Sequence, residues 1–528
     1  MKSTTKKFLA LLMAALMTCA LFNACAKAKA DDPAADVPDE TQTDVKEPED
    51  TPEAEKRTDL VIAMESEPPT LHPFDHTAVT AGYMNALTYN SLFKTDPVTL
   101  EPVPDLCESW QQVDDVTWQF KIYENILFHD GTHMTAEDVA ASMEYAREYP
   151  TTKQYSSFWT SLSVVDTYTI QLTTDGPYAL TMVDMSSLKV VPKALIEAGN
   201  DFNQNPIGSG PYKFVSQTLG DKIEFEAFDE YFDAAHQPKL EKLTWRIIPE
   251  GSSRTIALEA GEADFIIEVE TNDLDRLKAS ENVEVQTVSG TRMNYFLMNN
   301  EVAPFDNKDF RKAVNAAIDR EAVLTVALNG EGKAAAAACP SVFAGTSLEN
   351  AEGYDPAKAL EYLEKSGVDP STVTFSCIVA TDATRRAAEV IQAYLQEIGL
   401  EMTIESLDYA AWLNDVMGGH CTTAVTGYTS TTLDRYLNGT FHTSAIDAAN
   451  QSRVRDAHID ELIDLGLTQT NEEERNATYR EVTAYINELT PYVPLYESVV
   501  TRAYNAALQG VVVGASGTVR FEDISWAE

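Results

Sequence analysis

The chain has 528 residues, 44% of them hydrophobic, which is enough to bury a large core across two or more domains or lobes. Its 83 acidic and 39 basic residues give a formal net charge of −44. A surface of this charge repels phosphate backbones, and the sequence has no cluster of Lys and Arg, so we exclude nucleic acid as a partner.

Residues 1–24 have the pattern of an export signal peptide. Lys2, Lys6 and Lys7 precede an apolar run that extends from Phe8 to Leu16. This run is shorter than the roughly 18 to 20 residues that a membrane-spanning helix needs, and no later segment is apolar enough to span a bilayer. The sequence therefore predicts an exported, extracytoplasmic protein.

A cysteine and an acidic segment follow the signal. The sequence FNAC at residues 22–25 resembles a bacterial lipobox, which predicts that Cys25 is lipidated and anchors the chain to the membrane. Cys19 is an alternative lipidation site, and ordinary cleavage after Ala30 is another reading. Between residues 31 and 55 there are eleven acidic residues and four prolines, so we expect residues 25–57 to form a solvated stalk.

The other cysteines and the paired histidines give no sign of a metal site or a cofactor. The cysteines have neither a CxxC pair nor a regular spacing; they are Cys107, Cys339, Cys377 and Cys421. We do not expect a disulfide framework, although one disulfide bridge remains an alternative in an oxidising compartment. His72/His76 and His129/His133 have a spacing that on a helix could hold a metal, but each pair lies at a proline or an Asp-Gly turn.

Strand and helix patterns alternate along the rest of the chain. Strand-like alternation occurs at residues 118–122, 223–227 and 243–247. Thr135 and Asp138 predict a capping box at the start of a helix, and further helices end before Gly399 and Pro491. Residues 373–404 fit a β-α-β unit, so the sequence predicts an α/β architecture.

Five segments in order resemble the family 5 extracellular solute-binding proteins, which are oligopeptide and dipeptide receptors of ABC importers. The most specific segment is FHDGTHMTAEDV, in which an Asp-Gly turn leads into a capped helix. The segments are EPPTLHP with YNSLF (67–93), FHDGTHMTAEDV (128–139), PIGSGPY (206–212), ALEAGEAD (257–264) and PFD with RKAVNAAIDR (304–320). The resemblance extends from about residue 60 to about residue 496.

The resemblance implies a hinged, two-lobed α/β fold of the periplasmic-binding-protein type, class II, with an extra subdomain. Lobe I would comprise residues 58–290, with the subdomain at about 96–205. Lobe II would comprise residues 291–490, and residues 491–528 would return to lobe I. Ligand would lie between the lobes.

No catalytic motif is present: the sequence has no GxSxG, no Walker loop, no HExxH and no dinucleotide-binding turn. We therefore expect a monomeric receptor, not an enzyme, whose partners are a short peptide and the membrane subunits of an ABC importer. A receptor for a non-peptide solute, such as a chelated metal or an oligosaccharide, is the alternative. An exported hydrolase is a further one, because paired carboxylates are abundant in so acidic a chain.

The resemblance also implies where a peptide ammonium would bind. The family's acidic anchor lies in the motif GWxxDxxDPD, which matches GYTSTTLDRY at residues 427–436. Tyr428 replaces the Trp, Thr431 the first Asp and Arg435 the Pro, whereas Asp434 keeps the second Asp. Asp434 is thus the candidate ammonium anchor, with Tyr428 and Thr431 beside it.

Other candidate contacts are assigned by position. His76 and Thr77 follow the LHP sequence at residues 71–73, and Arg292 and Asn294 lie where the chain is expected to cross between lobes. Lys333 is the only cation in the Ala-rich segment that would supply a carboxylate anchor. We expect Arg311, on a charged and solvated helix face within residues 306–320, to be structural.

Overall fold

One long mixed sheet runs through both lobes in the computed structural model, which describes residues 57–76 and 78–527. The signal peptide, Cys19, Cys25, the predicted stalk up to residue 56, and Thr77 lie outside the described residues.

The strands are β1 (Asp59–Met64), β2 (Phe93–Thr95), β3 (Pro102–Pro104), β4 (Cys107–Asp114), β5 (Thr117–Ile122), β6 (Trp159–Asp166), β7 (Thr169–Thr174), β8 (Tyr212–Thr218), β9 (Lys222–Ala227), β10 (Lys242–Ile247), β11 (Phe265–Ile266), β12 (Val283–Met298), β13 (Lys333–Ala334), β14 (Thr374–Val379), β15 (Glu401–Ser406), β16 (Thr423–Thr429), β17 (Tyr492–Asn505), β18 (Leu508–Gln509) and β19 (Ser525–Trp526).

The α-helices are α1 (Val79–Thr88), α2 (Ala136–Ala146), α3 (Lys153–Ser156), α4 (Thr181–Ser187), α5 (Lys193–Glu197), α6 (Gly251–Glu259), α7 (Leu274–Lys278), α8 (Lys308–Ala317), α9 (Arg320–Leu328), α10 (Pro356–Ser366), α11 (Asp382–Glu397), α12 (Tyr409–Gly418), α13 (Leu433–Phe441), α14 (Ala457–Thr468) and α15 (Glu472–Leu489).

The two longest strands, β12 and β17, connect the lobes. The sheet order is β15-β14-β16-β12-β17-β11-β1-β10-β9-β8, with β13 paired to β17 outside this path. The first half of β12 pairs with the second half of β17 beside β11, and its second half lies between β16 and β17. The register shifts between Ser289 and Met293. This break separates the lobe I half of the sheet (β8 to β11 and β1) from the lobe II half (β14 to β16).

A separate antiparallel sheet, in the order β4-β5-β7-β6, packs against α2 within the lobe I side of the chain. Phe120, Leu172 and Val139 are fully buried in this subdomain core. Alternation along β5 turns Trp118, Phe120 and Ile122 inward, as the sequence pattern predicted. The predicted limits of the lobes and of the subdomain stay predictions.

The lobe II sheet is covered on both faces. One core forms around Phe296 and Val425 with α8, α9 and α11, and a second forms around Tyr295 and Tyr436 with α13 to α15. The predicted β-α-β unit is confirmed: β14 and β15 are parallel neighbours joined by α11. Gly399 follows that helix at a φ of 82°, which glycine adopts readily.

Two of the family-like segments meet at a close backbone approach. His129 N–H donates to Gly208 O (2.8 Å), and the His129 ring bonds to Gly210 O (2.9 Å). A Cβ at Gly208 would lie 2.1 Å from Thr88 O, so only glycine allows the segment to touch the end of α1. The predicted capping box is confirmed, because Thr135 N–H donates to the Asp138 carboxylate (2.8 Å).

The charged face predicted as solvated within residues 306–320 is largely buried: Asp306 is exposed, but Arg311, Lys312 and Arg320 are buried, so the prediction was wrong for these three. Two helices, α8 and α9, replace the single one expected, and Arg311 is only 6% exposed. Its guanidinium donates to the carbonyls of Phe305, Leu489 and Thr490 at 2.8 to 3.0 Å, which makes burial of the charge possible. The structural role expected for Arg311 is confirmed.

The described cysteines are buried and unpaired. Within residues 57–76 and 78–527, no group of three or more His, Cys, Asp or Glu is arranged to hold a metal ion. None of the helices in that part of the chain has the length and apolarity of a membrane span.

Candidate functional site between the lobes

Arg292 and Asn294 lie two positions apart in β12, beside the break between the two halves of the sheet. Arg292 Nε donates to Asn294 Oδ1 (3.1 Å) and Nη1 donates to Thr429 Oγ1 (3.3 Å). Asn294 Nδ2 donates to Ser498 Oγ on β17 (2.9 Å). These bonds tie β12 to both of its neighbours at the hinge end of lobe II.

Gly427 makes room for this pair. A Cβ there would lie 2.7 Å from Met293 O, 2.8 Å from Asn294 Oδ1 and 2.9 Å from Arg292 Nη2. Because contacts below 3 Å force something to move, any side chain at this position would displace Arg292 or the strand.

Tyr428 lies on the opposite face of the sheet from Arg292 and Asn294. In the register of β12 and β16, Arg292 is opposite Thr429 and Asn294 is opposite Gly427, whereas Met293 is opposite Tyr428. Successive strand residues point to opposite faces, so Tyr428 projects away from the Arg292 pair. Its ring packs edge-on against Tyr436 of α13 at 5.7 Å. The structure thus separates the predicted contacts into two sets on opposite faces of the sheet.

Asp434 lies in the first turn of α13 and is 7% exposed. Its Oδ1 accepts a hydrogen bond from Tyr479 Oη (2.6 Å) and is 3.7 Å from Arg475 Nε, both on α15. Burial and the Asp434 charge raise the pKa of the Tyr479 hydroxyl, so this hydroxyl stays a donor. One oxygen of the candidate anchor is therefore used inside lobe II.

The neighbouring residue, Arg435, pairs with Asp184 of α4, which belongs to the lobe I side of the chain. The Asp184 side chain is 0% exposed and that of Arg435 is 21% exposed. Asp184 also accepts a hydrogen bond from Tyr178 Oη (2.7 Å), and the guanidinium carbon of Arg435 is 4.7 Å from the centre of the Tyr155 ring. Burial raises the pKa of the Asp184 carboxyl to about 6 even though Arg435 opposes this.

A cavity of about 80 Å³, which we call the interlobe cavity, opens beside this ion pair. Hydroxyl-bearing residues of both lobes form most of its wall; they are Thr95, Tyr155, Ser186, Ser187, Thr431 and Thr432. Arg435 and three apolar residues complete it. The predicted Thr431 therefore lies in the wall, and Asp434 adjoins it along the chain.

Further contacts join the lobes near the cavity. Ala179 N–H donates to Leu467 O (2.8 Å), and Leu100 is packed within the lobe II core that contains Tyr436. Burial, and then the charge of Glu472 on α15, raise the pKa of the Glu101 carboxyl. The hairpin formed by β2 and β3 thus reaches lobe II.

The remaining candidates have partners elsewhere. His76 Nε2 is 2.7 Å from Asn85 Nδ2 of α1, and burial lowers the pKa of its imidazole. Lys333 Nζ is 3.8 Å from the carboxylate of Glu497, a residue that is 1% exposed, and also contacts Ser341. Lys333 is therefore already used in a pair within the protein.

Sequence reasoning gave no role to Asp184 or Arg435. Asp184 lies in an otherwise weakly polar helix, and its partner is 251 positions away. The usable signal was Arg435 itself, because an arginine stands where the family motif has a proline.

Comparisons with known proteins find relatives along most of the chain. The family model described as bacterial extracellular solute-binding proteins, family 5 Middle, matches residues 101–446. The glutathione-binding protein GsiB of Shigella boydii is 26% identical over 484 residues, covering 88% of this chain and 94% of that protein. Heme-binding protein A of Haemophilus influenzae is 26% identical over 476 residues, covering 83% of this chain and 86% of that protein.

A solved structure gives the same result for the fold. The periplasmic binding protein DppA of Helicobacter pylori, in complex with the peptide STSA, aligns with a TM-score of 0.71 and 23% identity, covering 90% of this chain and 99% of that one. The family match spans well over half of the chain. The chain belongs to the family 5 bacterial extracellular solute-binding proteins.

Proposed function

We propose that this chain captures a short peptide outside the cytoplasm and delivers it to the membrane subunits of an ABC importer. The observation that carries the proposal is the family match over residues 101–446, on a two-lobed fold whose cavity is walled by both lobes. Hinged lobes suit a receptor that must surround a polar solute and then release it.

The names of the relatives support a peptide. Glutathione, named for GsiB, is itself a small peptide, and the DppA structure holds the peptide STSA. The similarity to heme-binding protein A favours a second candidate, a chelated metal. An oligosaccharide receptor and an exported hydrolase are the remaining alternatives.

We propose that Asp434 accepts a hydrogen bond from the peptide ammonium, with Thr431 and Tyr428 beside it. The bond from Tyr479 fixes Asp434 Oδ1, and Oδ2 has no hydrogen-bond partner among the described residues, which leaves it for a ligand. We assign Arg292 and Asn294 to the hinge because their bonds link three strands. His76 and Thr77 complete the proposed contacts on the lobe I side.

Native mass spectrometry of the purified protein, combined with calorimetric titration of a peptide panel, tests this function. We expect a retained mass that fits a short peptide, saturable binding, and no turnover of the bound peptide. A retained porphyrin mass would establish the chelated-metal alternative, whereas turnover of peptides or glycans would establish a hydrolase.

We further propose that Cys25 is lipidated and tethers the protein to the membrane through the acidic stalk. Cys25→Ala should then move the protein from the membrane fraction to the soluble fraction, and Cys19→Ala should leave it in place. Release by Cys19→Ala alone would assign the anchor to Cys19, and retention of both variants would contradict a lipid anchor.

A further inference from the structure

The turn between β2 and β3 holds a leucine in a backbone conformation that leucine rarely adopts. Leu100 has a φ of 63°, in the left-handed region that favours glycine. The turn is well fixed: Asp96 Oδ1 accepts hydrogen bonds from the N–H groups of Val98 and Thr99 (both 2.9 Å), and Leu100 N–H donates to Asp96 O (2.9 Å). Glycine would form the same turn without strain, so the contacts of the Leu100 side chain have to compensate for its backbone.

The Leu100 side chain makes those contacts in the other lobe. The hairpin of β2 and β3 belongs to the lobe I side of the chain, yet Leu100 is buried in the lobe II core that contains Met293 and Tyr436. Val98, two positions earlier in the same turn, is 66% exposed. The turn therefore presents one apolar side chain to lobe II.

A second turn, near the C-terminus, reaches the same core. We call residues 513–519 the C-terminal turn; Val513 and Val519 pair across its base, and Gly514 N–H donates to Thr518 O (2.9 Å). Val519 packs into the lobe I core around Trp245, whereas Ala515 at the tip is buried in the lobe II core with Leu100. This turn also crosses from one lobe to the other.

The two turns are joined to each other and to the sheet. Ala515 N–H donates to Pro97 O (3.2 Å), and a Cβ at Gly514 would lie 2.8 Å from Pro97 Cβ. The buried Arg502 of β17 donates from Nη2 to Gly517 O (2.8 Å). Leu100 and Ala515 are thus presented by one connected element of lobe I.

This element lies beside the break in the long sheet. The register of β12 and β17 shifts between Ser289 and Met293. Within the break, a Cβ at Gly290 would lie 2.9 Å from Ser498 O and 3.6 Å from Ala515 O. Because hinged lobes rotate about such a junction, a contact that crosses it depends on the angle between the lobes.

We propose that Leu100 is a positioning residue for solute capture: its side chain, supported by Ala515, joins lobe I to lobe II beside the hinge and favours the closed arrangement before a solute binds. A contact made only in the closed arrangement stabilises it, and loss of the contact shifts the population towards open molecules. The inference deepens the proposed function, because a receptor that is already held near closure uses less of its binding free energy to close.

Three variants and one control separate this role from simple packing. Leu100→Gly removes the side chain and suits the left-handed backbone, so the turn should form as before. Leu100→Ala removes most of the contact but keeps the unfavourable backbone. Gly514→Ala pushes the C-terminal turn away from Pro97 and tests whether the two turns act together. Leu219→Ala is the matched control, because Leu219 lies in another lobe I turn, between β8 and β9, and is 79% exposed.

Small-angle X-ray scattering of the ligand-free proteins measures the separation of the lobes. Loss of a buried leucine contact should change the ratio of closed to open molecules by about ten- to a hundredfold. Both Leu100 variants and Gly514→Ala should therefore have a larger radius of gyration than the parent, and Leu219→Ala should match the parent. An unchanged radius in both Leu100 variants, together with a lower resistance to urea, would assign Leu100 to packing and overturn the proposal.

Calorimetric titration with trialanine is the second readout. Leu100→Gly should bind it more weakly by up to the same factor, because open molecules have to close first. If trialanine binds the parent but the radius of the Leu100 variants is unchanged, the positioning role is rejected and the peptide function stands. If no peptide binds the parent, the peptide function is rejected, whereas the scattering comparison needs no ligand and still decides the role of Leu100.

Discussion

Two arginines lie near the hinge end of lobe II, and they differ in what they hold. Arg292 bonds to Asn294 and Thr429, which are neutral neighbours on its own sheet face, and so reinforces the junction of β12 and β16. Arg435, beyond the opposite face, pairs with a fully buried carboxylate of the other lobe and lines a cavity. The same type of side chain thus reinforces a strand pair in one place and an ion pair between the lobes in the other.

The largest expected effect is a loss of peptide affinity on changing Asp434, which precedes Arg435 in α13. Asp434→Asn keeps the size of the side chain and removes its charge, so a peptide with a free ammonium should bind about ten- to a hundredfold more weakly. Calorimetric titration measures the change, with N-acetyltrialanine as the control ligand that should bind both proteins equally. Unchanged binding of the free peptide would assign Asp434 to the support of Tyr479 alone.

On the Arg292 side, the expected effect is on stability and not on binding. Gly427→Ala places a methyl group within 3 Å of the Met293 carbonyl and the Arg292 guanidinium, so unfolding free energy should fall by about 1 to 3 kcal/mol. Urea unfolding measures it. Gly82→Ala in α1, where nothing lies within 4 Å, is the control and should be neutral or slightly stabilising. Equal results for both variants would show that the strand adapts without cost.

A smaller effect is expected on the pH dependence of the unfolding free energy, through Asp184. The groups that influence the Asp184 carboxyl include Arg435, Tyr178 and Asp434. Its pKa is near 6 in the folded protein and near 3.8 unfolded, so between these values the folded state binds the extra proton. This group therefore adds stability as pH falls below 6 and loses that contribution as pH rises.

Comparison with Asp184→Asn isolates that group from the other carboxylates. The unfolding free energy of the parent minus that of the variant should rise by about 1 kcal/mol between pH 7.5 and pH 5. A difference that stays flat or falls over this range would mean that the charge of Arg435 lowers the pKa of Asp184 at least as much as burial raises it.

The smallest effect is expected for Arg292→Gln. Its two hydrogen bonds are to neutral partners, the buried Asn294 and the exposed Thr429, so the loss of stability should be about 0.5 to 1.5 kcal/mol. Peptide affinity should stay within about twofold of the parent, well below one decade of 1.4 kcal/mol. A tenfold loss of affinity would instead restore Arg292 as a ligand contact.

Local pattern was sufficient for much of the fold. The capping box at Thr135 and the β-α-β unit around α11 depend on residues close in sequence, and both are present. The burial of Arg311 was not visible, because its charge is compensated by carbonyl groups, which leave no trace in side-chain composition.

The residues of the candidate site were harder to predict from the sequence than the fold was. The motif stretch led to Thr431, which lines the cavity, but adjacency in sequence grouped residues that the strand register places on opposite faces. The partner of Arg435 lies 251 positions away on a helix with no motif of its own. Pairing across lobes depends on tertiary packing, which neither periodicity nor capping reports.

The shared strand β17 also constrains when the protein can fold. Lobe II needs its first half, which pairs with β12 at residues 492–497, and lobe I needs its second half, which pairs with β11 at Ala503 and Tyr504. Neither half of the long sheet is complete until residues near 505 have been synthesised. During synthesis, therefore, the separate sheet of β4 to β7 can form early, whereas the long sheet of both lobes can be completed only when almost the whole chain has been made.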